Sequence, residues 1–179
     1  MFMVVWFKHL PEVKRDLSQW TPFIQQDWYR THYMKFVYGL QLILFAIPFL
    51  FETSFSHLGI QYLILLWIAV FIIHESLHIL VVKKDGDISL TFSGIFFWLT
   101  TNAVLSKRKY WVFMSLPFIV LTVIPGVASF YVSGDIKAVF LFICWINAVI
   151  SGSDIYNSVL ILMKPKRAVF CNGYYQINR

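Results

Sequence analysis

Residues 58–82 form an apolar run long enough to cross a bilayer, and near its end stands His74-Glu75-Ser76-Leu77-His78. Three ionisable side chains in such a run are expensive to bury, so the fold must give them a partner, a metal or water. If the run is a helix, His74 and His78 project from one face a turn apart, and Glu75 lies beside the first. The HExxH spacing has a chemical reason. Two imidazoles so placed can close on one tetrahedral Zn²⁺, and the adjacent carboxylate can take a proton from water that the ion activates. The bland alternative is a pair of core histidines bonded to backbone carbonyls.

Three further stretches approach membrane length: residues 34–51, 110–132 and 138–163. With 59% hydrophobic and 13% charged residues the chain is far more apolar than a soluble domain. The expected fold is mainly α, a polytopic membrane protein of about four transmembrane helices. Residues 1–33 read as an interfacial N-terminal segment with a short helix over 11–20 and no cleavable signal, residues 34–163 as one membrane domain, and residues 164–179 as a tail.

A net charge of +6 could suggest nucleic acid, but the cations flank hydrophobic segments. Lys8, Lys14, Arg15 and Arg30 precede the first run and Lys35 stands at its start, while Lys83, Lys84, Lys107, Arg108 and Lys109 lie in the middle loop. Lys164, Lys166, Arg167 and Arg179 follow the last run, while the other two loops hold only Lys137. By the positive-inside rule both termini and the middle loop are cytoplasmic, in a cell membrane, with no nucleic-acid partner expected. Cys144 and Cys171 offer neither a disulfide framework nor a CxxC knuckle.

A zinc site needs a third protein ligand. At 1.5 Å per residue His74 sits about 12 Å from the cytoplasmic end of its helix, and Asp154 in the last run sits about 13 Å from the same face. Asn147, Ser151, Asp154 and Ser158 share the i, i+4, i+7, i+11 stripe of a straight helix, which should avoid lipid and face the site. Cys144 falls near the opposite face, Glu52 and His57 in an outer loop, and His9 and His32 in the N-terminal segment. Asp85 and Asp87 follow His78 closely. Asp154 is therefore the favoured third ligand, and the alternative is a packing residue bonded to a neighbouring helix.

The middle loop, residues 84–109, carries a turn signal at Asp85-Gly86-Asp87 and then alternates polarity through Ser89, Leu90, Thr91 and Phe92. A small hairpin or sheet is expected, with residues 95–99 and 103–105 pairing back. Its edge could hold an extended substrate by strand addition, or it could simply plug the bundle.

A membrane helix ending in HESLH, a hairpin-forming loop and a later helix with Asn147 and Asp154 resemble the small bacterial integral-membrane zincin metallopeptidases, related to the site-2 intramembrane proteases. The resemblance covers about residues 34–163. It implies one Zn²⁺ on His74, His78 and Asp154, Glu75 as catalytic base, and Asn147 or Asn157 as oxyanion or substrate-positioning residues. The Asn-Pro stretch and Leu-Asp-Gly of site-2 proteases are not reproduced here. The expected function is zinc-dependent hydrolysis of membrane-associated proteins or peptides, in or beside the bilayer. The other classes are a non-catalytic metal-binding scaffold and a small transporter component.

Overall fold

Apolar segments of bilayer length must satisfy their backbone polar groups internally, and this chain does so with helices. In the computed structural model, which describes residues 2–6, 16–51, 55–86, 88–93 and 96–177, α1 spans Asp27–Leu50 and α2 spans Ile60–Val82. The third run is α3, Lys107–Phe118, which passes through a π-helical stretch, Ile119–Val123, into α4, Ile124–Ala128. Ser106 caps its start by accepting the Lys109 N–H. Pro125 has no N–H to return to the Leu121 carbonyl, which loosens the ladder where the wider spacing appears. Among the described residues three helices are long and apolar enough to cross a membrane, taking α3 and α4 together, or four if the bent pair of the last run is one span.

The fourth run departs from the single helix expected over residues 138–163. It is broken into α5, Gly134–Ile150, and α6, Gly152–Leu162, bent by 64°. The break falls at Ser151-Gly152-Ser153, residue types that favour helix ends over interiors. Gln41 of α1 presses into it, and a Cβ at Gly152 would overlap the Gln41 Cγ. The Gln41 Nε2 donates to the Val149 carbonyl (3.0 Å), one of the last four of α5, which a helix end leaves short of partners. Gly152→Ala is expected to destabilise the protein by about 1–3 kcal/mol in detergent unfolding, as overpacking does. Adding Gln41→Ala should recover part of that loss; no recovery would show that Gln41 is not what Gly152 accommodates.

Two small sheets cover the end where α2 stops and α3 begins. The first has the order β1-β3-β4, from β1 (Phe2–Trp6), β3 (Ile88–Ser93) and β4 (Phe96–Thr101). The β3–β4 hairpin is antiparallel, as the alternation in residues 88–92 suggests. The parallel pairing of β1 along β3 is not foreshadowed, and it corrects one expectation: Ser89, Leu90, Thr91 and Phe92 lie in the central strand, with both edges already bonded. They offer no edge for strand addition.

The second sheet has the order β2-β7-β6-β5, from β2 (Thr21–Pro22), β5 (Leu105–Ser106), β6 (Ala168–Cys171) and β7 (Tyr174–Ile177). Leu105 therefore pairs with Phe170 rather than returning to the first hairpin. Residues read as a tail form a β-hairpin turning on Asn172 (φ 45°) and Gly173 (φ 77°), the two left-handed residues that a tight two-residue turn requires. Phe23, Ile161, Ala168, Phe170 and Tyr175 make a buried cluster, with Tyr110, Trp111 and Met114 of α3 packed against it. Of the short helix expected over residues 11–20, residues 11–15 lie outside the described residues and 16–20 form a turn rather than a helix. A second cluster of Val82, Ile88, Ala103, Leu105 and Phe113 joins α2 and α3 to both sheets. Lys109 pairs with Asp85 (2.6 Å) across the same end, and the Lys107 ammonium donates to the carbonyls of Leu162 and Lys164.

Candidate metal centre

The HESLH segment occupies the later turns of α2, whose packing partners are α3 and α5. Helical spacing turns both imidazoles toward those partners, and His74 and His78 are buried. Asp154 is also buried, but it stands in the first turn of α6 rather than midway along a straight helix. The bend brings it in. Asp154 Oδ2 lies 3.1 Å from His74 Nε2 and 3.3 Å from His78 Nε2, and the two Nε2 atoms are 3.2 Å apart. Among the described residues these three form the group of His, Cys, Asp or Glu side chains able to hold a metal ion.

The chemistry of the donor set fits zinc. The Phe113 carbonyl, which can only accept, is 2.6 Å from His78 Nδ1, so that nitrogen donates its proton there and a neutral ring turns its Nε2 lone pair inward. His74 Nδ1 is engaged in turn by Asn147 Oδ1 at 2.9 Å. Two imidazole lone pairs and a carboxylate oxygen thus meet at a triangle of 3.1–3.3 Å sides. Three acceptors so close repel one another unless a cation lies between them. Ligands at about 2.0–2.1 Å from a tetrahedral zinc ion stand roughly 3.3 Å apart, so the spacing matches.

Glu75 lies beside the triangle, its Oε1 3.8 Å from His74 Nε2, largely buried but not wholly closed off. Asn147, expected to position substrate, is fully buried and occupied elsewhere. Its Nδ2 faces the Pro117 carbonyl (3.1 Å), Thr122 Oγ1 (2.9 Å) and Ser151 Oγ (3.2 Å). With both N–H groups and the carbonyl engaged within the protein, it has no donor to offer a substrate oxygen. Asn157 accepts from the Tyr33 hydroxyl (2.9 Å), which ties α6 to α1.

The competing ligands stay apart. His57 meets Asp135 at 3.7 Å on an exposed surface, His32 bonds the Trp28 carbonyl, and Asp85 is held by Lys109. His9, Glu52 and Asp87 lie outside the described residues. Sequence reasoning missed the acceptors behind the imidazoles: nothing in the chain singles out Phe113, whose contribution is a backbone carbonyl, and nothing marks Asn147 as the partner of His74.

Two imidazoles and a carboxylate converge within a helical bundle, with a glutamate next to the first histidine in an HExxH helix, and the arrangement resembles the metal site of a zincin. A family model described as "Putative zincin peptidase" matches residues 67–169, more than half the chain, and the protein belongs to that family. No curated protein and no solved structure gives a match.

Proposed function

We propose that the protein is a zinc-dependent membrane peptidase that hydrolyses peptide bonds of membrane-associated proteins or peptides in or beside the bilayer. The observation that carries this reading is the 3.1–3.3 Å triangle of His74, His78 and Asp154 with Glu75 beside it. When bound there, zinc supplies Lewis acidity, which acidifies water and polarises the scissile carbonyl. His74 and His78 present their Nε2 atoms, and Asp154 brings the negative charge that a divalent ion needs in a buried site. Glu75 Oε takes the proton from the attacking water and then delivers it to the nitrogen of the departing amine. Burial by α2, α3 and α5 strengthens each of these electrostatic interactions. A helical substrate has its amides already bonded, so it must unwind locally before its carbonyl can reach the site.

The orientation proposed is the one with α2 ending, α3 starting and α6 ending at the cytoplasmic face of a cell membrane. Lys83, Lys84, Lys107, Arg108, Lys109, Lys164, Lys166 and Arg167 all flank those three helix ends. The Lys109–Asp85 pair and the Lys107 bonds to the end of α6 support gathering those ends on one side.

The test is hydrolysis by the purified full chain in proteoliposomes carrying a quenched, membrane-anchored peptide library. Cleavage should stop on chelation and return with added zinc. Zinc bound at one per chain with no cleavage of any library member would leave the fold a metal-binding scaffold and refute the peptidase reading.

A further inference from the structure

We propose that Asn147 is a positioning residue that dictates which nitrogen of His74 is offered to the metal. The inference rests on the zinc reading above and deepens it.

The argument runs along one chain of hydrogen bonds. An asparagine amide can sit either way round, but the Pro117 carbonyl has no proton to give, so at 3.1 Å it must face Nδ2 and not Oδ1. Thr122 Oγ1 at 2.9 Å and Ser151 Oγ at 3.2 Å are available as acceptors on the same side. That leaves Oδ1 toward His74 Nδ1 at 2.9 Å, and an amide oxygen can only accept. His74 Nδ1 therefore holds a proton, and in the neutral, metal-binding ring Nε2 is left as the lone pair that meets His78 and Asp154. A backbone carbonyl orients the amide, the amide orients the imidazole, and the imidazole presents a ligand atom.

His78 reaches the same tautomer directly through the Phe113 carbonyl. His74 uses a side chain as intermediary, and the bonds of Asn147 anchor it to four places: α2 through His74, α3 through Pro117, the π-helical stretch through Thr122, and the α5–α6 junction through Ser151. The local departures from α-helical geometry on either side of the site thus meet at one buried amide. Such outer partners typically shift metal affinity by about 10–100-fold, which sets the scale of the expected effect.

The experiment measures zinc affinity of the full chain in detergent by competition with a chromogenic chelator. Asn147→Ala should weaken binding by about 10–100-fold while thermal unfolding remains cooperative. His57→Ala, an exposed residue paired with Asp135 outside the site, should stay within about threefold of wild type. Affinity unchanged in Asn147→Ala, or an equal loss in His57→Ala, would overturn the proposal. Should Asn147→Ala fail to fold, ¹⁵N-histidine NMR of the zinc-loaded wild type decides: His74 must carry its proton on Nδ1 and the metal on Nε2, and the reverse refutes it. A wild-type chain that binds no zinc would instead strike at the peptidase reading itself.

Discussion

Glu75→Gln is expected to slow peptide hydrolysis by about 10²- to 10⁴-fold, the usual contribution of a positioned general base, while zinc stays bound at the wild-type ratio. The two halves of that result come from one distance. Glu75 Oε1 lies 3.8 Å from His74 Nε2, outside the 3.1–3.3 Å triangle, close enough to reach a water molecule in the site but not one of the three converging atoms. Glutamine preserves shape and hydrogen-bonding reach but has no basic oxygen to take a proton. Rate and metal content must be measured on the same preparation. Full activity would remove the base assignment, and lost zinc would turn Glu75 into a ligand.

Asp154→Asn should remove metal and activity together. The change is nearly isosteric, so α6 and its packing should survive, but the buried anion facing two imidazoles is gone. A neutral amide is a poor substitute, because a divalent cation in a buried site needs charge as well as lone pairs. The loss of affinity should exceed the roughly 100-fold that outer partners can cause. Zinc-to-protein ratios after a chelator wash make the comparison, with His57→Ala as a control, since His57 is exposed and pairs with Asp135 away from the site. An Asp154→Asn protein that retains one zinc per chain would require a different third ligand.

The parts of the site visible in the sequence were those whose chemistry is local. HESLH fixes two imidazoles and a carboxylate through helix geometry alone, and an aspartate stranded in an apolar run is conspicuous wherever the helix leads. The route by which Asp154 arrives differs from the one depth counting gives. A straight helix is expected there, whereas Ser151-Gly152-Ser153 breaks it and Gln41 fills the break, so the carboxylate comes in on the first turn of a new helix. Asn147 is conspicuous for the same reason as Asp154, but only its neighbours show that its Oδ1 meets His74 Nδ1.

The two sheets differ in how much of each a local pattern announces. Asn172-Gly173 between Ala168-Val-Phe-Cys171 and Tyr174-Tyr-Gln-Ile177 is a strong hairpin signal, although it falls in the stretch after residue 163 that reads as a tail. The parallel pairing of β1 with β3 joins segments more than eighty positions apart, and no local pattern announces it.

The pairing of β5 with β6 carries a parity rule. Those strands are hydrogen-bonded to each other, and the chain between them leaves through α3 and α4 and comes home through α5 and α6. Hydrocarbon cannot divide a strand pair, so each outward traverse of a bilayer must be matched by one inward. If α3 and α4 make a single passage out, the same rule requires the bent α5–α6 unit to be a single passage back. A loop that dipped in and left by the same leaflet would maroon β6 opposite its partner. The same even count governs β1 with β3 across α1 and α2, and β2 with β7 across the whole bundle.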